Sequence, residues 1–395
     1  MTNNSSQTPH QKYLIVLRPL SPFFFGGENT FGNDNENYLV KSNYYPQQTT
    51  LLGLIRYQLL HEAGLLLNIN QAITDIDKAK AKELIGSKSF GVNDTYSKND
   101  FGNIDCLSPV FLHDPDTNKD YWIAPFNRSY QPSTITDWQL QVEADNTIRL
   151  ISHKEYTAKE KLTHYIVGCG GERKTYEDMF TAVEKIGIKR NNSHKPHTRS
   201  KENEYEDDDE KGYYKQTSFC LNKKDDVQKS YCFAFYVCFK TPQQLTNGIV
   251  HIGGERSAFM LEAKAVEAIP DNYGYPISHI KSQNCNNSQV QQMVLIADTY
   301  VEQNLLDHCL FGITEVETFR FLQTDIDKTQ HYFNLSDKNA TLSKSRKYQL
   351  LKRGSVLYFR KEKQNDLTQL IDKHEDFRQI GYNQYIIVSQ PSNKP

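Results

Sequence analysis

Apolar and polar positions alternate in short runs along most of this chain, and helical spacing is sustained in few places. The clearest helix lies in YLVKSNYYPQQTTLLGLIRYQLLHEAG (38–64). Residues 38–45 read as extended. Leu51, Leu52, Ile55, Leu59 and Leu60 then recur at helical spacing over 49–64, behind Thr49 or Gln48 as N-cap. A weaker helix is predicted over 71–86. Ahead of both, YLIVLRPLSPFFF (13–25) reads as a strand broken by turns, and Gly26, Gly27 and Gly32 mark a flexible loop. VFLHD and YWIAPF flank DPDTNK, a hairpin within 105–126. HYIVGCGGERK (164–174) is a strand entering a glycine turn, with a short helix following near YEDMFTAVEKIG. Further strands are predicted at 213–221, 231–240, 248–268, 291–300, 313–323 and 347–360, and GYNQYIIV (381–388) closes the series. Many strands and few helices predict an α+β fold, with helices covering one face of antiparallel sheets.

Composition agrees with the strand count, since 24 Tyr and 20 Phe in 395 residues favour strands. The length suggests two or three domains. A net charge of −2 provides no global basic field, so any nucleic-acid site must be a local patch. No apolar run is long enough to span a membrane, and MTNNSSQTPHQKY lacks the features of a signal peptide. Residues 1–11 read as a disordered tail, and a cytoplasmic setting is expected. The seven cysteines include no CxxC pair, and Cys232 and Cys238 sit in an apolar run that suits buried thiols. Neither a zinc site nor a cofactor is expected. Within 186–212 a basic stretch, KRNNSHKPHTRSK, gives way to an acidic one, ENEYEDDDEK, which reads as a mobile charged loop.

The polar residues gather at the start of the first helix. Lys41, Ser42, Asn43, Gln47, Gln48 and Thr49 crowd its free N–H groups, a ready anion site, although any helix needs a cap. Gly53 inside the helix suggests close packing at that point. Lys185, Lys189, Arg190, Lys195, Arg199 and Lys201 form one basic cluster. A second brackets KRGSV (352–356), where Lys352, Arg353, Gly354 and Ser355 would let a backbone approach a phosphate. Tyr348, Tyr358 and Phe359 supply candidate stacking faces nearby. A catalytic set is harder to find. Glu172 in GGERK (170–174) and Glu255 in GGERS (253–257) are a candidate acid/base pair, though salt bridges that set the turns are the simpler reading. His164, His194, His197 and His251 lack metal-ligand spacing, and no P-loop or dinucleotide fingerprint is present.

Four stretches carry a family resemblance: LRPLSPFFFGGENTFG (17–32), YYPQQTTLLGLIRYQLL (44–60), GGERSAF (253–259), and RGSVLYF with IGYN (353–359 and 380–383). IGIKRN (186–191) and KGYYK (211–215) fit as well. In order and spacing the chain resembles the third subunits of the Cmr complex, the type III-B CRISPR effector, within the RAMP superfamily. The resemblance implies tandem ferredoxin-like, RRM-related domains, here 12–185 and 213–395. It implies binding of the 5′ handle of the CRISPR RNA, and contact with a large polymerase/cyclase-type subunit and a backbone RAMP subunit. Target RNA would be met only indirectly, and the subunit itself would not be a nuclease. Lys41, Ser42, Asn43, Gln47, Gln48 and Thr49 are then expected to hold handle phosphates, and Arg56 to reach the same backbone or buttress the loop. Gly253, Gly254 and Arg256 would contact the handle or shape its groove, Lys352 to Ser355 would form a cradle, and Lys189 and Arg190 would close the path. Two alternatives stay open: a metal-independent RAMP endoribonuclease using His197 beside Arg199, and an adaptor that touches protein only.

Overall fold

The strand Cys232–Phe239, CFAFYVCF, is buried at every position. A run with no polar face belongs at the centre of a sheet that is covered on both sides. In the computed structural model it lies between Gln11–Pro19 on one side and Ile104–Leu107 and Phe111–Asp114 on the other, antiparallel to all three. The sheet continues through Ser257–Val266 to Gly248–Ile252 at one edge. At the other it continues through Lys119–Ile123 and Tyr165–Gly168 to Arg173–Thr175. The residues described are 11–26, 39–66, 74–92, 99–127, 139–142, 148–151, 164–188, 213–222, 231–277, 290–302, 305–323 and 343–388. Lys189, Arg190, His194, His197 and the rest of 189–212 lie outside them, as do residues 1–10. Gln11, expected in the tail, already belongs to the first strand.

Five α-helices accompany the strands among these residues: α1 (Gln48–Glu62), α2 (Asp75–Ile85), the single turn α3 (Tyr176–Met179), α4 (Gln364–Asp372) and α5 (Glu375–Gln379). The period-two alternation of the strands sorts the core into layers. Ile15, Leu17, Phe233, Phe235 and Val237 face the leucines of α1. Val16, Ala234 and Tyr236 face the other way and meet Val290, Val294, Val356, Tyr358, Ile386 and Val388. Those residues belong to a second sheet, ordered Phe311–Ile313, Val356–Arg360, Val290–Leu295, Tyr385–Val388. Its far face, Met293, Leu295, Leu357 and Phe359, is closed by Leu367 and Ile371 of α4. The core is thus stacked helix, sheet, sheet, helix, a mixed α+β arrangement.

Three expectations change. The boundary at 186–212 does not divide one sheet from the other, because Cys232–Phe239 and Ser257–Val266 come from beyond it yet flank Gln11–Pro19. The short helix near YEDMFTAVEKIG is one turn only. Thr175 caps it, and the chain then runs straight into the strand Phe180–Ile188. Gly53 is exposed, and a Cβ there would meet nothing within 4 Å, so close packing is not its reason for being there.

Candidate nucleic-acid interface

The segment Phe23–Gly26 joins two of the expected site stretches. On one flank the Phe25 amide donates to Ser42 Oγ (2.7 Å), the Asn43 amide donates to the Phe25 carbonyl (2.7 Å), and Asn43 Nδ2 donates to the Gly26 carbonyl (3.1 Å). On the other the Phe24 amide donates to Ser257 Oγ (3.1 Å), and the Gly254 amide donates to the Phe24 carbonyl (3.1 Å). Residues 42–43 and 253–257 therefore lie on opposite sides of one short spine, held there because its amides and carbonyls alternate direction. Phe23 and Phe25 anchor the spine from beneath, packed against Phe233 and Phe259. Gly253 is at φ +85, and a Cβ would sit 2.3 Å from the Phe24 carbonyl oxygen. Gly253→Ala is therefore expected to displace the turn from the spine and lower stability by more than about 1 kcal/mol. A denaturant melt that superimposes on wild type would contradict this.

Cations border the spine. Lys41 is exposed, with Nζ 5.7 Å from the Tyr44 ring centroid and 5.8 Å from that of Phe219. Arg256 is exposed at φ 50 on the far flank, and its carbonyl lies 3.0 Å from His251 Nδ1. The strand Leu39–Lys41 pairs in parallel with Lys215–Thr217, which in turn pairs with Phe180–Ile188. That places Lys215, ion-paired to Glu184 at 2.8 Å, and exposed Lys185 on the same small sheet. Tyr44 stacks on Phe219, so an aromatic plane stands directly beside Lys41.

The other expected residues are turned inward. Gln47 makes no side-chain cap to α1. Gln48 is fully buried, with Nε2 donating to the Ser108 carbonyl (2.7 Å), and the buried Tyr382 hydroxyl lies against Thr49. Gly381, at φ +89, passes so close that a Cβ would overlap Gln48 Nε2 at 1.9 Å. Protein thus fills the space in front of the helix start. Arg56 buttresses the neighbouring loop: Nη2 donates to the Asp100 carbonyl (3.1 Å), and burial pushes its pKa down to about 10.

The expected cradle at 352–355 is likewise occupied. Its four amides donate to the Glu315 carbonyl, Asp298 Oδ1, the Leu295 carbonyl and the Lys352 carbonyl. The Arg353 side chain, 7% exposed, reaches Asp298 (Nη2–Oδ2 2.7 Å, Nε–Oδ1 3.2 Å) and the Val110 carbonyl (3.1 Å), and its guanidinium lies 5.1 Å from the Tyr45 ring centroid. Burial alone would raise the Asp298 pKa. The charge and hydrogen bonds of Arg353 outweigh that, and the net shift is downward. Ser355 is fully buried, and Gly354, at φ +91, lies against Phe126, where a Cβ would come within 2.5 Å of Cε1. Lys352 pairs with Glu315 at 3.3 Å. In the free chain these four residues tie strands together and leave no vacant amide for a phosphate.

A family model described as CRISPR-associated protein (Cas_Cmr3) matches residues 15–390, nearly the whole chain. The chain belongs to this family. It is a Cmr3-type CRISPR-associated protein. Among solved structures it is similar to a chain of the type III-B Cmr-beta complex bound to cognate target RNA, determined by cryo-electron microscopy. That similarity is at 13% identity and TM-score 0.45, covering 94% of this chain and 96% of that one. A comparison with curated proteins found no match.

The glutamates of the two GGER turns do not share a site in this Cmr3-family chain. Glu172 accepts from Tyr121 Oη (2.8 Å) and pairs with Lys174 (3.1 Å) in the turn before Arg173–Thr175. Glu255 lies in the turn between Gly248–Ile252 and Ser257–Val266, toward the opposite edge of the large sheet. Five strand spacings separate Ser257–Val266 from Tyr165–Gly168, roughly 24 Å, too far for two carboxylates to act on one bond. His164 is taken by Glu315 at 2.8 Å. Asp298, Ser108 and Tyr382 shape the neighbourhood without having been singled out in sequence. Of these, Asp298 leaves a trace as a lone charge closing the apolar run VLIAD (294–298), and Tyr382 lies within the IGYN stretch (380–383).

Proposed function

We propose that this Cmr3-type subunit binds the 5′ handle of the CRISPR RNA without cleaving it, and that it joins the large polymerase/cyclase-type subunit to the backbone RAMP subunit. The observation that carries the reading is the convergence of residues 41–43 and 253–256 on Phe23–Gly26, with Lys41 and Arg256 exposed on either flank. Cations beside a stacking aromatic, above a turn where glycines bring the backbone near the surface, suit a single strand of RNA. Lys41, Asn43, Gly254 and Arg256 meet the handle directly, with Ser42 and Gly253 holding the turns. Gln47, Gln48, Thr49 and Arg56, with Lys352, Arg353, Gly354 and Ser355, form the frame behind them. One helix-covered sheet in each half of the core supports the tandem ferredoxin-like reading, with Cys232–Phe239, Gly248–Ile252 and Ser257–Val266 of the second half built into the first sheet. A handle touched at about six phosphates gives a log–log salt slope near −4. Filter binding of handle RNA to the purified chain across a salt series measures this slope, and salt-insensitive binding would overturn the proposal.

A further inference from the structure

A second cluster of chemistry lies inside the large sheet and has no role in the RNA reading. Ile104–Leu107 pairs antiparallel with Cys232–Phe239, and the register passes from Cys106 opposite Cys238 to Ile104 opposite Phe239. Asp105 is the extra residue of a β-bulge. A bulge sets two residues of one strand against one of the other, and here it places Asp105 and Cys106 together opposite Cys238. Two Sγ atoms and one carboxylate oxygen all fall within 4.8 Å of one another. The thiols already hydrogen-bond to each other, and Asp105 hydrogen-bonds to Cys238.

We propose that Asp105, Cys106 and Cys238 bind a thiophilic divalent cation of the zinc class. Zinc–sulfur bonds of about 2.3 Å set tetrahedral ligand atoms about 3.5–3.8 Å apart, so the three donors need only small side-chain rotations to close on an ion. Two thiolates select zinc over magnesium or calcium, which prefer oxygen donors alone. Charge balance favours the same ion. Two thiolates and a carboxylate around a divalent cation leave one net negative charge, and Lys12 sits opposite Cys238 on the adjoining strand. Cys238 is buried while Cys106 and Asp105 are half-buried, which leaves an approach for the ion. With three protein donors, the fourth position of a tetrahedral ion falls to water. An ion here would clip the bulged strand to the central one and stabilise the folded chain in proportion to its free concentration.

Cobalt(II) titration of the reduced full-length chain tests the proposal. The expected result is a thiolate-to-cobalt charge-transfer band with tetrahedral d–d bands, saturating at one ion per chain and erased by zinc. Cys238→Ser should lose the bands. Asp105→Asn, which keeps both thiols and the bulge, should retain the charge-transfer band but bind at least about tenfold more weakly. The proposal is overturned if cobalt gives no charge-transfer band with the wild-type chain, or if the band persists in Cys106→Ser. It is equally overturned if Cys106 and Cys238 oxidise to a disulfide as fast with zinc present as without it.

Discussion

Replacing Arg353 with alanine is expected to be among the most damaging single changes in the chain, costing about 3–5 kcal/mol. The guanidinium is buried with Asp298, donates to the Val110 carbonyl and lies against Tyr45, so four separate segments meet on one side chain. Truncation leaves the Asp298 carboxylate buried without its partner, which is costlier than never having had the pair. Arg353→Met combined with Asp298→Leu should therefore be milder than Arg353→Ala alone, and denaturant melts of the three proteins measure the difference. A single variant no worse than the double would show the ion pair to be dispensable. The pH dependence has a definite sign. Because the Asp298 pKa is held below its ordinary 3.8 in the folded chain, its contribution is fully present above that value and is lost as pH falls through the lower folded one. Asp298→Asn should flatten that portion of the acid limb of stability.

What the sequence displays locally and what it leaves to distant partners divide cleanly around these residues. The leucines of α1 repeat at 3.6-residue spacing, and the helix forms where they predict. Leu367, Leu370 and Ile371 carry the same signal for α4 in a shorter stretch that is easily passed over. The DPDTNK hairpin is equally local and pairs as its turn residues suggest. Site chemistry was less legible. A helix start rich in amides and a Lys-Arg-Gly-Ser turn both look like anion sites until their partners are known. The partners are Ser108 and Tyr382 for the first and Asp298 and Leu295 for the second, all far away in sequence. The charged composition of 189–212 sets that stretch apart in the sequence, but it carries no information about which strands pair from either side of it. The pairing of Cys106 with Cys238 escapes motif reading for the same reason, since metal motifs are recognised by spacing along one segment and this pair is assembled across two strands.

Reversing charge at both flanks of the spine, in Lys41→Glu with Arg256→Glu, is expected to weaken handle binding strongly while the fold survives. Both side chains are exposed, and neither belongs to the buried core, so the exchange should leave the packing of the sheets in place. Each phosphate contact to a single strand contributes about 0.7 to the salt slope, so losing two should move it from near −4 to about −2.6. The same arithmetic at 0.1 M salt gives a loss of roughly 25-fold in affinity, with repulsion from the new carboxylates adding to it. The thermal midpoint should stay close to wild type, which separates this variant from Arg353→Ala, where affinity and stability fall together. Lys363→Glu makes a suitable control, since Lys363 belongs to the turn leading into α4 and pairs there with Asp366 at 3.1 Å. If the double variant and the control bind handle RNA alike, with the same salt slope, the Phe23–Gly26 spine is not the RNA site. Exposed Lys185 and half-buried Lys215, on the Phe180–Ile188 and Tyr213–Leu221 strands, would then be the next place to reverse, because they share a small sheet with Lys41 but lie away from the glycine turn at 253–254.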